Sequence, residues 1–110
     1  MKPCWDDRAR EHIAKHGITT DEVDFVLARV RRPFPNDIGH GKWLVRGKTS
    51  VGRWIQVIYV YRRIDTLEWD LLDWKSRETL QDERSDEVVY VIHARDVTES
   101  EKRTVRRRVE

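Results

Sequence analysis

The spacing of apolar residues changes period along the chain, and each change marks a different element. Val23, Val26, Leu27 and Val30 fall at i, i+3, i+4 and i+7, the stripe of a helix with one buried face. Thr20, Asp21 and Glu22 open that helix with acids in its first turn, and Pro33 and Pro35 end it. A helix precedes it, N-capped by Asp6 and running through Arg8, Glu11, Ile13 and Ala14 to His16, where Gly17 is suited to a left-handed C-terminal cap. From Lys42 onward the period drops to 2. Residues 42–49 (KWLVRGKT) read as a strand, Ser50-Val51-Gly52 as a tight turn, and residues 53–62 (RWIQVIYVYR) as a second strand. Alternation places Ile55, Val57, Tyr59 and Tyr61 on one face of that strand, and Trp54, Gln56, Ile58 and Val60 on the other. Residues 88–95 (VVYVIHAR) form a third, β-branched strand, and the capping-box spacing of Thr98 and Glu101 starts a last helix that runs to about Arg108.

Two stretches carry weaker patterns. Leu67, Trp69 and Leu71 alternate with acids, which suits an extension of the hairpin; Ile64, Leu67, Leu71 and Trp74 also fit a helical stripe. Residues 75–87 offer few apolar side chains and are expected to form a loop, as are residues 36–41. The expected order is α-α-β-β-(insert)-β-α. This is a single α+β domain over residues 1–110: two N-terminal helices, a small antiparallel sheet and a C-terminal basic helix.

Composition sharpens this picture. Charged residues make up 38% of 110 residues, a level that suggests disorder, but five Trp, three Tyr and two Phe supply core-forming bulk. No apolar run approaches the roughly 20 residues of a membrane span, so no membrane association and a cytoplasmic location are expected. A lone cysteine, Cys4, makes no internal disulfide. Net charge, only +2, conceals an asymmetry. The segment 63–87 holds nine acids and four bases, a net −5, which leaves +7 on the rest; residues 102–110 hold five bases and one side-chain acid. Such a basic body suits a phosphate-bearing partner.

Four segments, in order, resemble a known family. They are Glu11-His12-Ile13-Ala14-Lys15-His16-Gly17-Ile18-Thr19 with Asp21-Glu22-Val23 and Val26-Leu27; Arg46-Gly47-Lys48-Thr49; Gly52-Arg53 with the apolar strand after it; and His93-Ala94-Arg95-Asp96-Val97-Thr98 with Glu101. Together they resemble the BrnT-like toxins, and the resemblance spans nearly all the chain except 63–87. It implies a RelE-like fold, metal-independent endoribonuclease activity without a cofactor, and a cognate antitoxin. That antitoxin would be encoded beside the toxin, cover its active site as a hetero-oligomer and, with it, repress their operon. The chain departs from the family in its long insert, in having Val105 and Val109 where a closing aromatic is usual, and in having His93 where a small residue is usual.

Metal-free RNA cleavage needs a base for the 2′-hydroxyl, cations for the phosphorane and an acid for the leaving oxygen. Histidine suits the proton transfers and arginine the phosphate. The expected catalytic set is His16, Arg53, Arg95 and His12, with the sheet face carrying Arg53 and Arg95 beside the scissile phosphate. Arg46, Lys48, Lys102, Arg103, Arg106 and Arg107 are expected to bind RNA. His93 and Arg95, two apart on one strand, point the same way. Each assignment has a plainer counterpart. His16 also suits a helix C-terminus, Arg95 an ion pair with Asp96 or Glu101, Arg53 a solvated hairpin position, and the tryptophans core packing. His12 and His16 copy metal-ligand spacing, but without a zincin glutamate or a clear third ligand, so no metal is expected.

Two other functions compete with ribonuclease activity. A catalytically silent nucleic-acid- or partner-binding module could keep the same fold. A DNA-binding regulator is disfavoured, because the acidic start of the second helix suits phosphates poorly.

Overall fold

The computed structural model describes residues 1–63, 72–83 and 87–103. The hydrophobic stripes produce the expected helices. In α1 (Asp7–Ala14), the Asp6 side chain accepts from the Ala9 amide at 2.7 Å. The helix closes on Gly17, at φ +71°, where the Gly17 amide donates to the Ala14 carbonyl and the Ile18 amide to the Ile13 carbonyl. This paired closure lets a glycine end the helix and fixes the position of His16 just before it. In α2 (Thr20–Leu27), Thr19 and Glu22 form a reciprocal capping box; the helix ends at Leu27, well before the prolines. Among the described residues no helix is long and apolar enough to cross a membrane.

The strands are β1 (Pro3–Cys4), β2 (Asn36–Asp37), β3 (Lys42–Lys48), β4 (Trp54–Arg63) and β5 (Glu87–Asp96), in the sheet order β1-β5-β4-β3-β2. An all-antiparallel sheet was expected, but the observed sheet is mixed, because β1 runs parallel to β5 with Pro3 opposite Val89 and Cys4 opposite Tyr90. Two residues cannot display a period, and their partner lies at the far end of the chain. The loop expected at 36–41 likewise contributes a strand, β2, paired with β3 through Asn36–Leu44 and Asp37–Trp43. The β3–β4 hairpin takes the predicted register, with Val45 opposite Val57 and Lys48 opposite Trp54.

Residues expected to form a loop after Trp74 are instead helical, as α3 (Trp74–Glu83). Few of its side chains are apolar, but its start is anchored elsewhere. Asp73 accepts from the Ser76 amide at 2.7 Å, the Ser76 hydroxyl accepts from the Trp5 amide at 2.8 Å, and Arg10 pairs with Asp73. Leu72 packs with Cys4 and Val88. Tertiary hydrogen bonds thus stabilise a helix that an apolar stripe would not have predicted. The edge-strand and helical readings of 64–71 concern residues outside those described. Residues 99–103 form the start of a last helix, α4.

Both N-terminal helices cover one face of the sheet. Ile13, Val23, Val26, Leu27, Val45, Ile55, Val57, Tyr59, Val91 and Ala94 form its core, all at most 2% exposed. Gly47 is placed by this packing: a β-carbon there would lie 3.0 Å from Val26 Cγ1, so β3 approaches α2 as closely as glycine allows. Alternation along β4 holds through Tyr59 and then ends, for Tyr61 is 52% exposed. On the opposite face Gln56, although polar, is buried.

Candidate functional site

A phase change in β5 positions the first part of the site. Val91 and Ala94 are both core residues, three positions apart, which unbroken alternation forbids. The β4–β5 register resolves the conflict: Tyr59 pairs with Val91 and Ile58 with His93, leaving Ile92 as the extra residue of a bulge. Without that bulge His93 would follow Val91 into the core; with it, Ala94 takes the core position and His93 is released. His93 then meets His12 on α1 and His16 in the turn that closes it. Ring centroids lie 5.5 Å apart for His16–His93, 6.3 Å for His12–His16 and 6.4 Å for His12–His93, all edge-on. Among the described residues no hydrogen bond or ion pair engages any of the three imidazoles. Also among the described residues, no group of three His, Cys, Asp or Glu side chains is arranged to hold a metal ion. Burial lowers the pKa of His93, and the nearby charges of His16, Arg95 and His12 lower it further.

The arginines stand beside this cluster, but not as the sequence implied. Arg53 and Arg95 were expected on one sheet face and instead serve opposite ones. Arg53 reaches the helical layer, donating through Nη1 to the Gly17 carbonyl at 2.9 Å and pairing with Glu22 at 3.3 Å. Its Nε and Nη2 grip the two Asp96 oxygens at 2.6 and 3.0 Å. That hydrogen-bonded pairing raises the Arg53 pKa and lowers that of Asp96. Arg53 therefore clamps the end of α1 and the start of α2 to the end of β5.

Arg95 belongs to the row Arg46–Gln56–Arg95 across three strands on the other face. Glu101, from the first turn of α4, receives Arg95 Nη1 and Nη2 at 2.8 and 2.9 Å and Arg46 Nη2 at 2.8 Å. Gln56 Oε1 accepts from Arg46 Nε at 3.0 Å and from Arg95 Nη2 at 3.4 Å, which explains how a buried amide is satisfied there. Glu101 also accepts from the Thr98 amide at 2.9 Å, completing the predicted capping box. The Arg95 guanidinium, first among these partners, holds the Glu101 carboxyl well below the usual carboxylate range. Of the two ion-pair partners read for Arg95 from sequence, Glu101 takes the guanidinium with its side chain, and Asp96 accepts through its backbone carbonyl at 2.8 Å.

The structure therefore gathers His12, His16, Arg53, Arg95 and Arg46 at one end of the sheet, and adds His93 and the clasping Glu101 and Gln56. Lys48 lies with its Nζ 5.6 Å from the Trp54 ring, Lys102 pairs with Glu99 at 2.9 Å, and Arg103 is exposed on α4. Arg106 and Arg107 lie outside the described residues. The signal for His93 was present in the sequence, since a histidine within a β-branched run needs either a polar partner or an exit from the core. Its exit, the bulge, was not legible. No family model matches the chain, and neither a curated protein nor a solved structure does.

Proposed function

We propose that the chain is a metal-independent endoribonuclease. One observation carries the reading: three imidazoles with no hydrogen-bond or ion-pair partner among the described residues meet at one end of the sheet, near enough to Arg95 for its charge to act on His93. Imidazoles can both take and give protons near neutrality, and a fixed guanidinium stabilises the charge that builds on a phosphorane. Arg53, with its donors committed to Asp96, Gly17 and Glu22, acts as a positioning residue that holds the end of α1 beside β5. Lys102 and Arg103 extend positive charge along α4 toward a flanking phosphate. No step requires a cofactor.

More particularly, the motif resemblance supports a BrnT-like toxin of a type II pair with a RelE-like arrangement, acting on RNA in the cytoplasm and neutralised by a cognate antitoxin that covers this end of the sheet. The α+β order and the basic body are consistent with that reading. A specific observation favours the silent binding module as a second reading: Asp96 and Glu101 already occupy the guanidinium forks that would grip a phosphate. The deciding experiment incubates purified, antitoxin-free protein with single-stranded RNA, with and without chelator. Cleavage unaffected by chelator, at a rate that titrates near neutrality, is expected; intact RNA refutes the enzyme and leaves the binding module.

A further inference from the structure

We infer that His93 is the proton acceptor for the attacking 2′-hydroxyl, and that His16 is the proton donor to the departing 5′-oxygen; this rests on the ribonuclease reading above. His93 is distinguished from the other two rings by its mounting. It is the only one of the three on the sheet, it is half-buried, and it owes its place in the cluster to the Ile92 bulge. A base must be held where a single hydroxyl can reach it, roughly 2.6–3.2 Å away, and a strand paired to β4 through Ile58 holds a ring more firmly than the turn after a short helix.

The electrostatics of the surroundings agree with the geometry. Among the described residues, the charged and titratable groups that act on His93 are His16 and His12 from the helical layer and Arg95 from its own strand; its cross-strand neighbour on β4 is Ile58, and beyond it on β3 lies Leu44, both apolar. No carboxylate among these groups favours the imidazolium. Burial and the neighbouring cations therefore keep His93 neutral to lower pH than a free imidazole, the form a base requires. His16, in the turn that closes α1, is the nearer of the two helix-side rings, its centroid 5.5 Å from His93 against 6.4 Å for His12, so it is the one placed to serve the opposite side of the same phosphate.

The step balances with these two groups alone. The 2′-oxygen gives its proton to the His93 imidazole and forms its bond to phosphorus. The bond from phosphorus to the 5′-oxygen breaks, and that oxygen takes a proton from His16. The products are a 2′,3′-cyclic phosphate and a free 5′-hydroxyl, with His93 protonated and His16 neutral; a later reversal with water or solvent exchange resets both.

The test uses the whole protein, a mixed-sequence single-stranded RNA oligonucleotide, and the variants His93→Gln and His93→Ala, with their fold checked by circular dichroism. Both variants should lose about 10²- to 10⁴-fold in kcat with little change in KM, and the acid limb of the pH–rate profile should vanish with them. NMR titration of the imidazole carbons should find wild-type His93 titrating below the ordinary imidazole value and moving upward in His16→Gln. If wild-type protein cuts RNA and folded His93→Gln cuts it as fast, this assignment is overturned while the ribonuclease reading stands. If wild-type protein leaves RNA intact, both fall. A His93 that titrates at or above the ordinary value also overturns the assignment.

Discussion

Replacing Glu101 by Gln tests whether the Arg46–Glu101–Arg95 clasp holds the last helix to the sheet. The carboxylate accepts from two arginines at 2.8–2.9 Å, and the side chains of Glu101 and Arg46 are each only 19% exposed. Exposed ion pairs contribute about 0.2–1 kcal/mol, whereas losing one partner of a buried pair costs about 3–5 kcal/mol. This partly solvated, three-donor case lies between those limits, at about 2 kcal/mol. For a domain of 110 residues that corresponds to a fall in melting temperature of about 10 °C. The pH dependence gives the sharper test. Because the folded carboxyl titrates below its unfolded value of about 4.3, its contribution is complete above that pH and is lost as pH falls toward the folded value. Each unit below about 4.3 removes about 1.4 kcal/mol, so near pH 3 most of the advantage should be gone. Thermal unfolding followed by circular dichroism should show Glu101→Gln melting about 10 °C lower at pH 7 and nearly level with wild type at pH 3. A gap that stays constant across that range, or no gap at pH 7, would refute the reasoning.

Two further outcomes are expected. The Tyr59 hydroxyl is fully buried and has no hydrogen-bond partner among the described residues, and burial followed by the neighbouring Tyr61 pushes its pKa upward. Tyr59→Phe should therefore stabilise the protein by about 1 kcal/mol in denaturant titration; a loss of stability would show that the hydroxyl is satisfied in solution. Arg53→Lys keeps the charge but cannot reproduce the two-pronged grip on Asp96 together with the bond to the Gly17 carbonyl. Because Asp96 is largely exposed, the stability loss should be modest, about 1 kcal/mol, while the imidazole NMR signals of His16 shift; unchanged signals would mean Arg53 does not position the end of α1.

Much of the fold was legible because its elements carry local signals. Asp6, Gly17 and the Thr98–Glu101 box mark helix ends through bonds made within a few residues, and the β3–β4 hairpin advertises itself by strict alternation around Gly52. What was not legible depends on partners remote in sequence. Pro3 and Cys4 become a strand only against Val89 and Tyr90, and α3 is held through Ser76 on Trp5 and Asp73 on Arg10. Residue types in the candidate site were readable, but their commitments were not. Arg95 reads equally as a phosphate ligand or as a partner of Asp96 or Glu101 until Glu101 is seen to hold it, the Asp96 grip on Arg53 has no local signal, and His93 enters the site through a register shift that periodicity cannot show. The stretch read as a loop after Trp74 also changes status, since the helix Trp74–Glu83 accepts from the Trp5 amide through Ser76.

The histidine cluster joins parts of the chain remote in sequence, His12 on α1, His16 in the turn after it and His93 on β5. On a ribosome the first two emerge before β3, β4 and β5, without that sheet to receive them, and the third follows only with β5. No truncated or still-growing chain that stops short of β5 can hold the three rings together. A protein built this way acquires the cluster only once β5 has been made and has joined the sheet.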